Sequence, residues 1–125
     1  MKKYTLIIAF LANSIFVSAQ KQANIWYFGN RVGLDFNQTP PRVLTDGSAN
    51  SQEGSAAMSD NNGKLLFYTN GKIVQNRKHL TMPNGAGILG DLSSTNNAVI
   101  VPMPGNDSIY YLFAVGSARE EVPVF

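Results

Sequence analysis

Ser55–Gly71 reads SAAMSDNNGKLLFYTNG, and Asn97–Gly116 reads NAVIVPMPGNDSIYYLFAVG. Each is a short apolar run, then a turn rich in Asn, Asp and Gly, then an aromatic-rich run closed by Gly. Ala56 corresponds to Ala98, an offset of 42, and Gly71 to Gly116, an offset of 45, the extra residues falling in the turn. A repeat of ~40–45 residues built from short strands is the spacing of a β-propeller blade. The expected fold class is therefore all-β: a partial β-propeller-like array of about one and a half to two blades of short antiparallel strands, spanning residues 20–125 as an incomplete domain.

The rest of the chain reads the same way. Gly, Asn and Pro make up more than a quarter of residues 20–125. No long window shows the apolar i, i+3, i+4, i+7 spacing of a helix. Short β-branched and aromatic runs lie instead between turn formers that tolerate positive φ. The runs are Asn24–Phe28, Leu34–Phe36, Arg42–Thr45, Ser55–Ser59, Lys64–Thr69, Lys72–Asn76, Ala98–Val101 and Ile109–Val115. Pro102 and Pro104 limit pairing at the end of the Ala98 run.

The N-terminus carries an address. Met1-Lys2-Lys3 is positive, Leu6–Phe16 is apolar, and Val17-Ser18-Ala19 places small residues where a signal peptidase reads. Residues 1–19 are thus expected to be a signal peptide cleaved between Ala19 and Gln20. A bilayer crossing needs about 20 apolar residues, and this run is little more than half that length. The expected location is across the inner membrane: periplasmic, outer-surface or secreted, with no membrane span after signal removal. The chain has no cysteine, so neither disulfides nor a thiolate metal site holds it together.

Ten Lys and Arg oppose eight Asp and Glu, and losing Lys2 and Lys3 with the leader leaves eight of each. A nucleic-acid footprint requires a clustered basic face. Arg77-Lys78 beside His79 reads as a solvated loop, so no nucleic-acid partner is expected.

Several motifs invite a chemical reading. Gly85–Gly90 (GAGILG) matches G-x-G-x-x-G, with Asp107 near the place of a ribose-binding acid. A dinucleotide site needs a strand before the glycines and a helix N-terminus after them. Met82-Pro83-Asn84 and Asp91–Asn97 both read as turn sequence, so a glycine-rich loop between blades is expected. Asp60-Asn61-Asn62-Gly63 suggests a calcium loop, but Met58 and Thr69 would occupy the first and last ligand positions and neither carries a carboxylate. Ser59-x-Asn61-x-Gly63 also resembles the structural S-x-D-x-G hairpin of propeller glycosidases, and a tight hairpin turn is the expected outcome. His79 is the only histidine, and no serine lies in a G-x-S-x-G elbow. Paired carboxylates are open among Asp35, Asp46, Glu53, Asp60, Asp91 and Asp107. No catalytic residue, metal ligand or cofactor is assigned. Trp26, Tyr27 and Phe28 must alternate across a strand, so either Trp26 with Phe28 or Tyr27 alone is left to face outward and stack on a sugar. Core or inter-blade packing is the competing use, as it is for Phe67-Tyr68 and Tyr110-Tyr111.

The ordered series NIWYFGNRVGLDFN (Asn24–Asn37), EGSAAMSDNNGKLLFYTNG (Glu53–Gly71) and MPNGAGILGDLSSTNNAVIVPMPGNDSIYYLFAV (Met82–Val115) resembles the N-terminal propeller-like region of Bacteroidetes exported surface proteins. Those are type IX secretion cargo with PKD repeats and a gliding-motility-associated C-terminal domain. The resemblance implies a non-enzymatic surface binding or display module, serving adhesion, matrix or glycan recognition through an unidentified glycan or protein ligand. It carries no catalytic residues over. It also implies that the chain is a fragment of a larger protein, because no sorting domain is present and Ser117–Phe125 departs from the pattern. The alternatives are part of a propeller-type carbohydrate hydrolase and a non-functional truncated gene product. An uncovered blade face of ~500 Å2 would forgo roughly 12 kcal/mol, against a typical domain stability of about 5–15 kcal/mol. Marginal stability and self-association are accordingly expected of residues 20–125 alone.

Overall fold

The computed structural model describes residues 21–116. The leader, its cleavage point between Ala19 and Gln20, and Ser117–Phe125 lie outside the described residues. A 3-10 turn at Lys21–Ala23 leads into nine strands: β1 (Ile25–Phe28), β2 (Val32–Asp35), β3 (Arg42–Leu44), β4 (Ala56–Ser59), β5 (Leu65–Thr69), β6 (Ile73–Asn76), β7 (Thr81–Ala86), β8 (Ala98–Pro102) and β9 (Tyr110–Ala114). They form three small antiparallel sheets ordered β1-β2-β3, β4-β5-β6-β7 and β8-β9. The all-β expectation is met. No closed ring of sheets is present among the described residues, and no helix there is long and apolar enough to cross a membrane.

The repeat seen in the sequence is a repeat of pairing. Ala56 opposes Thr69 across β4 and β5, and Ala98 opposes Ala114 across β8 and β9. Thr69 and Ala114 keep the 45-residue offset that relates Gly71 to Gly116, and Ala56 and Ala98 the offset of 42. The first sheet follows the same plan from its second strand onward. Three residues, 29–31, join β1 to β2, and three, 70–72, join β5 to β6. Eleven residues, 45–55, join β3 to β4, and eleven, 87–97, join β7 to β8. Gly29 (φ 55°) and Gly71 (φ 83°) close equivalent strands in left-handed geometry that a side chain rarely adopts.

Each sheet packs on the next. Tyr27 and Tyr68 stack with ring centroids 4.6 Å apart across the first junction, and Ile25 completes that buried cluster. At the second junction β4 lies against β8, and Phe67 meets Tyr110 edge-on at 5.3 Å. The buried apolar residues are few: Ile25, Tyr27, Met58, Tyr68 and Ala98. Trp26, Phe28 and Val43 of the first sheet, and Val99, Val101, Tyr111 and Phe113 of the third, are exposed. Ile73 and Met82 of the middle sheet, with Leu80 in the turn between their strands, are exposed too, so the buried apolar residues gather at the junctions between sheets.

Two strand expectations need correction. The second strand is Val32–Asp35, not Leu34–Phe36. The return begins early because Gly29 and Arg31 both have positive φ. Phe36 belongs to the following turn, where its N–H donates to the Asn24 carbonyl and the Asn37 N–H to the Asp35 carboxylate. Thr81–Ala86, read as turn and loop, is strand β7. It is an outer strand paired only with β6, and an edge tolerates a proline that has no N–H to give. Its ladder is irregular between Ile73 and Gln75, and Asn84 has φ 58°. The Asp60–Gly63 turn is the tight hairpin expected, closed by Asp60 N–H to Lys64 O at 2.8 Å and Gly63 N–H to Asp60 O at 2.9 Å.

Candidate functional site

Strand alternation decides the aromatic triplet. Ile25 and Tyr27 point into the junction with the second sheet, and Trp26 and Phe28 point out. Trp26 is held rather than loose: its indole N–H donates to the Ala23 carbonyl at 2.8 Å, and its ring lies 5.0 Å from Phe36. Trp26 and Phe28 line a cleft of about 540 Å3 with Ala23, Tyr27, Leu34, Ser55 and Ala57. That size is within the ~300–1,000 Å3 of small-molecule and cofactor sites. None of its lining residues carries a charge. The chemistry it offers is ring stacking, apolar contact and the backbone of β1.

Behind the cleft the other face of β1 enters a polar clamp. The Tyr27 hydroxyl donates to Asp46 Oδ1 at 2.7 Å. His79 places Nε2 3.4 Å from Asp46 Oδ2 and Nδ1 3.1 Å from the Tyr68 hydroxyl. The Ser48 N–H donates to that same hydroxyl at 3.0 Å, and Ser48 Oγ donates to the His79 carbonyl at 2.7 Å. Gln75 Nε2 donates to Ser48 Oγ. Ser48, His79 and Asp46 are the residue types of a hydrolytic triad. Their geometry serves a different end: the serine hydroxyl bonds the histidine backbone, while the ring turns to Tyr68 and Asp46. The cluster ties the loop after β3 to strands β5 and β6.

The electrostatics follow this wiring. Burial, then the hydrogen bond and charge of Asp46, push the Tyr27 phenol far above its ordinary value, so it stays a donor. The Tyr27 hydrogen bond, together with His79, holds the Asp46 carboxyl below the usual carboxylate range against a smaller burial effect. Burial raises Asp35, but the Asn37 N–H, the Asn37 side chain and Arg42 outweigh it, and the net shift is downward. Asp35 Oδ2 pairs with Arg42 Nη2 at 3.3 Å.

The other sequence candidates are scattered. Asp60 caps its own turn, accepting from the Asn62 and Lys64 N–H groups. Asp60 and Asp107 share a narrow cleft of about 130 Å3 between the two hairpin turns. Glu53 accepts from Thr95 Oγ1 at 3.1 Å, and Asp91 from the Ser93 N–H at 2.8 Å. No three His, Asp or Glu among the described residues are grouped to hold a metal ion. For the GAGILG motif the sequence reading erred on one side: a strand does precede the glycines, since Gly85 and Ala86 end β7. The helix is still lacking, because Asp91–Asn97 forms turns. His79 corrects a second reading. Arg77 and Lys78 are solvated, but His79 sits in a tight turn at φ 62° with its ring edge-on to Tyr27 at 5.4 Å. Nothing local signals this, because Asp46 and Tyr27 lie across the sheet junction and Tyr68 lies two strands back in the chain. Tyr68 is fully buried and Tyr110 faces the middle sheet, so only Tyr111 of those pairs is left exposed as an outward ring.

No family model matches the chain, and no curated protein or solved structure matches it.

Proposed function

We propose that the chain is an exported, non-enzymatic binding and display module, the opening part of a propeller-like array serving adhesion, matrix or glycan recognition at the cell surface. The observation that carries this reading is the repetition of one sheet plan. A four-stranded meander stands between a three-stranded and a two-stranded sheet that match parts of it, with equal lengths in the β1–β2 and β5–β6 turns and in the two eleven-residue connections between sheets. Such arrays work as scaffolds that present surfaces. The uncharged cleft beside Trp26 and Phe28 is the surface offered, since an aromatic ring stacks equally well on a sugar face or an apolar side chain. The clamp of Ser48, His79 and Asp46 supports a structural use of those groups over turnover.

The test has two arms. Fractionation with protease shaving is expected to find the chain outside the inner membrane, trimmed before Gln20. A panel of glycans and matrix proteins is expected to yield saturable binding without turnover that Phe28→Arg abolishes. Cytoplasmic retention of the chain, or hydrolysis of a panel member, overturns the reading.

A further inference from the structure

Among the described residues, the first sheet has an unpaired edge where the other two sheets have a strand. β4 covers one edge of β5, and β8 covers the same edge of β9. By connection length and by its closing glycine, β1 is the counterpart of β5. Among the described residues, sheet pairing reaches β1 from β2 alone.

The ladder fixes which groups are free. Phe36 N–H donates to Asn24 O at 2.8 Å, which makes those two an opposed, hydrogen-bonded pair. Such pairs alternate along an antiparallel ladder. In the register Ile25↔Asp35, Trp26↔Leu34, Tyr27↔Gly33 and Phe28↔Val32, the bonded pairs are therefore those of Trp26 and Phe28. Ile25 and Tyr27 turn their N–H and C=O groups to the open edge. Of these, the Tyr27 carbonyl is met by the Ser55 hydroxyl at 2.8 Å. The cleft runs along this same edge, lined by Trp26, Phe28 and Ala57.

We propose that the open edge of β1 is a strand-acceptor site, and that its occupant is an uncharged extended segment opening on a small residue, added antiparallel to β1 by another polypeptide. This rests on the binding-module reading above and names its partner class. Two features select the occupant. The same interface is already built twice within the chain, by β4 opening on Ala56 and by β8 opening on Ala98. The cleft also has no charged lining residue to pair with a charged segment. Main-chain bonds then supply affinity, and the alternate side chains facing the cleft supply selectivity.

Strand β8 itself shows how the occupant would lie. Val115 N–H donates to Asn97 O at 2.9 Å, so Val99 and Val101 make the bonded pairs with Phe113 and Tyr111. On β1 the same sequence would set Val99 opposite Tyr27 and Val101 opposite Ile25.

The experiment adds a synthetic peptide of residues 97–102, NAVIVP, to the intact chain, free in solution and, in a second sample, fused before Lys21 through a Gly/Ser linker. Two readouts are local. Trp26 is the only tryptophan, so its emission reports the cleft. Amide exchange resolves single residues of β1. The expected result is saturable blue-shifted emission, with exchange at Ile25 and Tyr27 slowed about tenfold or more and little change at the already bonded Trp26 and Phe28. N-methylation of the peptide at Val99 or Val101 is expected to weaken binding roughly tenfold or more, because it removes a bonded N–H, whereas methylation at Ala98 or Ile100 leaves it. Unslowed exchange at Ile25 and Tyr27 in the fused sample overturns the proposal, as does protection without alternation. Protection of these amides that rises with chain concentration and needs no peptide assigns the edge to a second copy and overturns the proposed occupant. Panel binding without β1 protection would sink this inference alone. Strand addition by a chain that is never exported would sink the surface reading alone.

Discussion

The two junctions between sheets are built from different materials. The first combines stacked Tyr27 and Tyr68 with a hydrogen-bonded clamp of Asp46, Ser48, Gln75 and His79. The second has one edge-on ring contact, Phe67 with Tyr110, and the fully buried Asn97. Asn97 Nδ2 donates to the Asn70 carbonyl at 2.7 Å, and its Oδ1 has no hydrogen-bond partner. Gly54, Gly71 and Gly90 make room there: a Cβ on Gly54 would come within 2.8 Å of Asn97 N. Directional bonds define a single arrangement at the first junction. At the second, closely packed glycines are joined by one buried amide and by backbone bonds between loops, Gly90 N–H to Gly71 O at 3.1 Å and Glu53 N–H to Leu92 O at 3.2 Å. The lesson is that equivalent positions in a repeat need not carry equivalent energies, even where the strand plan is the same.

The largest effect is expected from Tyr68→Ala, which empties the first junction and should cost about 3–5 kcal/mol in a denaturant titration. A loss below 1 kcal/mol, on the low side of the usual single-mutation cost of about 0.5–3 kcal/mol, would mean that the first two sheets do not depend on each other. Gly54→Ala tests the second junction by overpacking against Asn97 and the Ser94 carbonyl, at a cost of about 1–3 kcal/mol. Amide exchange should quicken in β8 and β9 while the β1 and β5 amides keep their rates; equal quickening everywhere would show one cooperative unit in place of two unequal joints. Tyr27→Phe removes the donor to Asp46, whose side chain is 63% exposed, and is expected to cost only about 1 kcal/mol after solvent screening. An unchanged midpoint would reassign the clamp's strength to ring stacking.

The smallest effect concerns acid. Asp35 has a folded-state pKa below its ordinary value, so the stability it contributes is full above the unfolded carboxylate value and is lost as pH falls through the lowered one. Asp35→Asn should lower stability at neutral pH and flatten the curve below about pH 4. A wild-type curve already flat in that window would show that the Asn37 and Arg42 contacts are not retained in solution.

Much of this fold was legible. Hairpin β4–β5 and hairpin β8–β9 align because their turns are marked by Asn, Asp and Gly, with offsets of 42 residues between the first strands and 45 between the second. The alternation of Trp26, Tyr27 and Phe28 followed from strand geometry alone, although which side would be buried did not. β7 escaped because Pro83 and Asn84 are turn formers in any local reading, and only its position on the outer edge of a sheet makes them tolerable. The clamp escaped for a related reason. Asp46 and His79 are 33 residues apart, and Ser48 reaches Tyr68 across 20, so no spacing rule joins them. The vacant edge of β1 could be seen only once the repeats were laid against each other in three dimensions.

The buried turn at Asn70 also bears on how the molecule ages. An Asn-Gly step can cyclise when the glycine nitrogen attacks the asparagine side-chain carbonyl, releasing ammonia. Asn70 is poorly placed for this: its Oδ1 accepts from the Lys72 and Ile73 N–H groups, its Nδ2 donates to Asn50 O, and the Gly71 N–H is spent on Thr69 Oγ1. Asn62-Gly63 and Asn84-Gly85 are the same dipeptide with exposed asparagines. On storage, peptide mass mapping should find isoaspartate at Asn62 and Asn84 long before Asn70. The order in which three identical steps decay would then serve as a chemical clock of how tightly the sheets stay stacked.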